Sequence, residues 1–290
     1  MKEILDQLIE NFNQPPYSTD ICEARQDYQK LAGEIYEDDK SYESRVGSFL
    51  EWYLFDRVIP DEQLTPLETL INNKVQGDLP EGITNLEEFT NNVHGLFIIK
   101  KIRDHEVVAL NLLDDTKYNV REPEGKLIFK KNELFEARIV LNNDEYYFTG
   151  NFCFHPKEAV KFIKSEIKYI SKTRGGYLKE LKVKNSQLEK LNSKLDKNAR
   201  EVEKLNTKIK DSKSVEKIRV WNEDLESLKK VRAELMQQVS LVEAEKFNLE
   251  VNKLKKEINQ LSSNLIQRLN YMNLKFERSR QIDLQDIYRN

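Results

Sequence analysis

YLKELKVKNSQLEKLNSKLDKNAREVEKLNTKI, residues 177–209, decides how the whole chain is read. Leu181, Leu188, Leu195, Val202 and Ile209 recur every seven residues, and Tyr177, Leu191 and Leu205 fall four before or three after members of that series. That is the spacing of a coiled-coil seam. All nine glycines and all seven prolines lie at or before Gly176, so nothing from Tyr177 to Asn290 is built to stop a helix.

Two interruptions divide this arm. The pattern weakens through Lys210-Asp211-Ser212-Lys213-Ser214 and resumes with Ile218, Trp221, Leu225, Leu228, Leu235, Val239, Val242 and Leu249. It shifts again before Leu254, Ile258, Leu261, Leu265, Leu269, Met272 and Phe276. A single helix over 177–290 would be about 170 Å long and could not stand alone in water. Two geometries answer this: an antiparallel hairpin of Leu181–Ile209 against Ile218–Leu249, with Leu254–Phe276 extending beyond toward a second subunit or partner, or a continuous parallel dimer. Polar Lys184, Asn198 and Ser212 at seam positions weaken packing and fix register. The candidate interaction residues are Leu181, Leu188, Leu191, Leu195, Val202, Leu205, Ile209, Leu254, Ile258, Leu261, Leu265 and Leu269.

Upstream of the arm the pattern is that of a folded head. Residues 1–94 read as helical. Ile4, Leu5, Leu8, Ile9 and Phe12 share one face of a first helix closed by Pro15-Pro16, and a second carries Ala24, Tyr28, Leu31, Ile35 and Tyr36. A third, from Ser41, contains the apolar segment Val46–Arg57 and is expected at the centre of the core. Thr65-Pro66-Leu67-Glu68 combines an N-cap Thr, Pro at the first helical position and Glu at the capping-box position, and Thr84-Asn85-Leu86-Glu87 repeats the Thr-to-Glu spacing. Over 95–155 the period changes. Leu96–Ile102, Val107–Leu113, Lys117–Val120, Lys126–Phe129, Leu134–Leu141 and Tyr146–Phe154 are expected strands of a small antiparallel barrel or curled sheet of SH3 or OB size. A packing helix over 156–174 then leads to a hinge at Gly175-Gly176. The fold class is thus α+β, a helical and small β-barrel head followed by a coiled-coil arm at 177–290.

Composition narrows the function. Of 290 residues, 47 are Lys or Arg and 50 Asp or Glu, for a net charge of -3. Residues 1–176 carry 22 bases against 32 acids, whereas 177–290 carry 25 against 18. Cys22 and Cys153 have no neighbouring cysteine, which fits buried free thiols in a reducing compartment. The acidic N-terminus has no signal-peptide character and no apolar run is long enough for a membrane helix, so the expectation is cytoplasmic, with no membrane partner.

The order Phe49–Arg57, Thr65-Pro66-Leu67-Glu68, Asn111–Val120, Glu136-Ala137-Arg138-Ile139-Val140 and Gly150–Pro156 is similar to that of a group of uncharacterised bacterial proteins. The resemblance covers residues 40–156 and implies a helical start with a small β-barrel. Some members end in a Cys-rich zinc motif of the SEC-C kind. Here no Cys follows Cys153 and a helical arm stands in that place, so the resemblance carries over no metal role and no activity.

The sequence offers no catalytic, cofactor-binding or metal-ligating constellation. His94, His105 and His155 lack helical metal-site spacing. Cys153 and His155 could share a strand face as a nucleophile and base, without an identifiable oxyanion site. Nucleic-acid binding draws on Lys100, Lys101, Arg103, Phe129, Lys130, Lys131, Tyr146, Tyr147 and Phe148, against the acidity of the head and the use of aromatics in barrel cores. The leading expectation is a non-enzymatic interaction or scaffold protein whose coiled coil dimerises or docks a protein partner; the alternative is a nucleic-acid-binding protein using the barrel and the basic arm.

Overall fold

A computed structural model describes residues 1–10, 12, 17–60, 62–72, 85–122, 124–279 and 281–289. The fold is mixed α+β in two compact units. The first is Met1–Ser171 with Leu261–Asn290, the second Lys172–Gln260.

In the first unit α1 (Lys2–Glu10), α2 (Ser18–Ala32), α3 (Tyr42–Phe55) and α4 (Pro66–Asn72) build a helical layer. Leu5, Leu8, Ile9 and Phe12 of the α1 segment meet Tyr28, Phe49, Tyr53, Leu54 and Phe55, so α3 is the core helix its apolar run predicts. The reciprocal capping box forms before α4: Thr65 N–H donates to Glu68 Oε2 at 2.9 Å and Glu68 N–H to Thr65 Oγ1 at 3.2 Å. Pro15, Pro16 and Thr84 lie outside the described residues. The second start is capped by Asn85, whose Oδ1 accepts from Glu87 N–H at 3.0 Å, opening a 3-10 turn over Leu86–Thr90. α2 ends earlier than its apolar pattern suggests. Gly33 has φ +81°, and a Cβ there would lie 2.4 Å from the Tyr271 ring, so the chain turns where only glycine fits. Ile35 beyond the turn is still buried, whereas Tyr36, and Leu31 within α2, are exposed.

The sheet comprises β1 (Val93–Ile102), β2 (Glu106–Asn111), β3 (Lys117–Arg121), β4 (Leu134–Asn142), β5 (Glu145–Phe148) and β6 (Cys153–Phe154), ordered β1-β2-β3-β5-β4-β6. β1 also pairs antiparallel with β4, in register from Val93 opposite Ile139 to Ile98 opposite Leu134. β3 and β5 run parallel. Two expected strands differ. Lys126–Phe129 falls on a helical turn, α5 (Gly125–Ile128), and Tyr146–Phe154 is split into β5 and β6 around Gly150, at φ +103°. Phe129 is buried even so, because a short apolar run records burial more faithfully than conformation.

Phe135, Ala137 and Ile139 of β4 enter the sheet core with Phe97, Ile99, Val107, Val120, Phe129 and Phe148. Val140, on the opposite face, joins the helical cluster. A strand covered on both sides loses the apolar–polar alternation of a half-buried one, which is why Ala137–Leu141 alternates so poorly.

α6 (Val160–Asp211) runs without a break through Gly175-Gly176. The expected hinge is therefore helical; paired glycines lower helix propensity by about 1 kcal/mol each but do not end a helix whose other residues favour it. In the second unit α6 turns at Ser212–Ser214 into α7 (Val215–Phe247). The limbs run antiparallel: Asn198 Nδ2 donates to the Leu228 carbonyl at 3.0 Å, Lys184 pairs with Glu245 at 2.5 Å, and Tyr177 donates to Glu257 at 2.7 Å. The register shift before Leu254 is a π-helical stretch, Asn248–Glu257.

The largest departure from expectation is α8 (Ile258–Arg278). From Leu261 onward it belongs to the first unit, with Leu265, Ile266, Leu269, Met272 and Leu274 buried, rather than extending free for a partner. Arg278 grips Asp39 through Nε at 2.7 Å and Nη2 at 2.6 Å, and also donates to the Glu34 carbonyl at 2.8 Å. Arg45 of α3 donates to the Asn270 carbonyl at 3.0 Å. Along this helix the apolar spacing coincides with a buried face and carries no information on what buries it. Leu269→Ala and Leu274→Ala, both at sites with no exposure, are expected to cost about 2–5 kcal/mol each, read as a lower midpoint for the first unit in chemical denaturation.

Candidate functional site

The second face of β4 sets the chemistry of the interior. Its Arg138 is 1% exposed and reaches α3, pairing with Asp56, standing 3.8 Å from Glu51, and covering the Phe55 ring at 4.8 Å. Arg138 also donates to the Asn92 side chain. Glu51 accepts from Asn151 Nδ2 at 2.6 Å. Gly47 permits that approach, since a Cβ there would sit 2.2 Å from Asn151 Oδ1. Burial raises the Glu51 carboxyl to about 6, with Arg138 and Asn151 opposing.

Two residues back on the same face, Glu136 meets His94 Nε2 at 2.6 Å. Burial works to raise its pKa, yet the interaction with His94 holds the carboxyl below its usual range. Beyond Glu136 the polar interior continues into α8. Asn273 Nδ2 donates to Cys153 Sγ at 3.0 Å and to the Phe154 carbonyl at 3.4 Å, and His155 Nδ1 lies 3.3 Å from the Tyr288 hydroxyl. Gln267, Asn270 and Asn273 are all buried. Sequence reasoning missed this amide row, although its three-residue spacing beside Leu265, Ile266 and Leu269 was a legible signal of a helix with a polar buried face.

Cys153 and His155 do lie in one polar interior, but their protonation is the opposite of a thiolate–imidazolium couple. Burial pushes the thiol up to about 12, with Glu136 adding to the effect. Burial likewise lowers His155 to about 4, with Glu136 opposing and Arg45 assisting. Both groups are neutral at pH 7, so the thiol is not activated. Among the described residues no three His, Cys, Asp or Glu side chains gather as a metal site requires, and no helix is long and apolar enough to cross a membrane.

The sequence-derived seam residues divide between the units. Leu181, Leu188, Leu191, Leu195, Val202, Leu205 and Ile209 are half-buried along α6 in the hairpin, where Asn198 is buried; Leu254 is half-buried and Ile258 buried in the same unit. Leu261, Leu265 and Leu269 belong to the first unit. Of the residues considered for nucleic acid, Phe129 and Phe148 are sheet core, whereas Lys100, Lys101, Arg103, Lys130 and Lys131 are exposed. Tyr146 stacks edge-on against Tyr118 at 5.2 Å in a groove of about 610 Å³ beside β3 and β5. Its lining cations are Lys117 and Arg121, the latter paired with Glu145 at 3.0 Å, and with Asp144 beside them and Glu106 held by Arg103 the groove carries no excess of positive charge for phosphate.

The two shifted groups make opposed contributions to stability. His155, lowered from its ordinary value of 6.5 to about 4, contributes stability present above pH 6.5 and lost as pH falls toward 4, about 3 kcal/mol in all. Glu51, raised from 4.5 to about 6, contributes stability present below 4.5 and lost as pH rises through 6, about 2 kcal/mol. Relative to the parent, His155→Gln is expected to flatten the loss on acidification and Glu51→Gln to steepen it. Urea midpoints between pH 4 and 7 check both signs.

Comparison with curated proteins and with solved structures finds nothing that matches the chain. A family model does match residues 1–187, from α1 through the sheet and into α6, and its description is a family of unknown function, DUF7986. With well over half its length matched, the chain belongs to the DUF7986 family.

Proposed function

We propose that the chain is a non-enzymatic interaction protein that associates with a second copy of itself through its hairpin. The observation carrying this reading is in α7. Leu235, Val239, Val242 and Leu249 occupy the side turned to α6, while Val231, Met236, Leu241 and Phe247 occupy other sides and remain 46–62% exposed. Large apolar side chains left exposed along one helix gain from being covered, and Leu178 and Val183 of α6 add exposed apolar surface to the same unit. A second copy supplies the same side chains by two-fold symmetry, giving a self-complementary contact.

Two finer points of architecture fit this reading. The half-buried seven-residue seam, with Asn198 buried within it, supports an antiparallel two-stranded coiled coil. The pairing circuit β1-β2-β3-β5-β4-β1 supports a small closed barrel of OB-like order, which leaves no long sheet edge for nonspecific association. Cys22 is exposed rather than buried and Cys153 is half-buried; that both thiols are unpaired supports a reducing, cytoplasmic setting.

Light scattering after size exclusion is expected to give twice the 34.3 kDa chain mass, and Leu241→Lys with Phe247→Lys to return the protein to a single chain with unchanged helicity. A parent protein that stays at single-chain mass at the highest attainable concentration would sink the reading.

A further inference from the structure

The hairpin unit carries a row of charge that its own packing does not use. Lys190, Lys194, Lys197, Lys204 and Lys208 are all exposed on α6. On the frame that puts Leu188, Leu195, Val202 and Ile209 at the seam, they fall at two adjoining positions of the helix surface. They span about 27 Å of helix, interrupted only by Glu201. None of the five takes part in an ion pair among the described residues, whereas Lys184, Lys229, Lys246 and Lys253 of the same unit do. Lys190 and Lys194, Lys194 and Lys197, and Lys204 and Lys208 stand three or four residues apart, where like charges destabilise a helix. A helix serving only as a spacer gains nothing from that arrangement.

Charge is also segregated by unit. Lys172–Gln260 holds 22 Lys and Arg against 15 Asp and Glu, a balance of +7, so the first unit carries -10. The acidity that argues against nucleic acid from sequence alone resides in the other unit. We propose that the lysine face of α6 binds the phosphate backbone of a nucleic-acid duplex without reading its sequence.

The chemistry of the face selects this partner. Point-charge lysines in a straight row suit successive phosphates, and no aromatic accompanies them to stack on bases. A membrane surface would require a run of apolar side chains beside the lysines; over residues 188–209 the apolar residues of this helix lie at the half-buried seam, and the exposed Val183 stands one heptad before the first lysine of the row. A protein interface would need a buried apolar anchor on the face. The proposal is independent of self-association, which uses the apolar sides of α7.

The test is fluorescence anisotropy of the full-length protein with a labelled random-sequence DNA duplex over a salt series. Neutralising five phosphates predicts a slope of log K against log salt of about -4.5. The variant K190Q/K194Q/K197Q/K204Q/K208Q keeps helix propensity, verified by circular dichroism, and its mass in light scattering is expected to equal the parent's. It should bind at least ten-fold more weakly, with a slope near zero. Failure of the parent to bind at the lowest salt, or unchanged binding by the variant, overturns the proposal. So does capture of the parent by phosphatidylserine vesicles without binding to duplex.

Discussion

Much of the first unit depends on one strand being buried on both faces. β4 sends Phe135, Ala137 and Ile139 into the sheet core and Glu136, Arg138 and Val140 toward the helices. An arginine at 1% exposure is tolerable only if its charge is met, and here Asp56 and Glu51 of the α3 segment meet it. The ion pairs therefore specify which helix lies on the sheet and at what height. Hydrophobic contact alone would leave that choice loose, since Phe49, Tyr53 and Leu54 could pack against many apolar surfaces.

The same face explains the position of α8. An unbroken apolar helix could not have covered Glu136, Cys153 and His155 without stranding polar groups. The row Gln267, Asn270 and Asn273 brings amides that donate and accept, while Leu265, Ile266 and Leu269 supply the apolar burial beside them. Asn273 satisfies the Cys153 sulfur and the Phe154 carbonyl together. The neutral thiol and neutral imidazole follow from this enclosure rather than from a partner that would activate them.

What was legible in the sequence was what local chemistry determines. The capping box at Thr65–Glu68, the core role of the third helix, most strand positions and the break in the pattern at 210–214 all depend on residues near one another in the chain, whereas that break left open the choice between a hairpin and a parallel dimer. Three features were not legible, each for a physical reason. Lys126–Phe129 is apolar enough for a strand, but Gly125 packs against Val107, where a Cβ would lie 2.6 Å away, and the chain winds into a turn. Gly175-Gly176 was read as a hinge although helix on both sides outweighs two poor formers. α8 shows a buried periodicity, and periodicity does not identify the surface opposite; the glycine that accommodates Tyr271 is Gly33, far away in sequence.

The family match ends at residue 187, yet the first unit is completed by Leu261–Asn290. The chain thus makes an excursion of 89 residues, Lys172–Gln260, before supplying the helix that covers Glu136 and His155. Were that excursion unstructured, bringing its ends together would cost about 4 kcal/mol of chain entropy. The hairpin removes most of that cost by its own folding: Lys184 with Glu245 and Tyr177 with Glu257 hold its outgoing and returning limbs side by side. Asn198, donating to Leu228 from within the seam, disfavours the slipped registers that would misalign those limbs. Polar residues that weaken the hairpin locally therefore have a use within that unit: they hold its outgoing and returning limbs in one register.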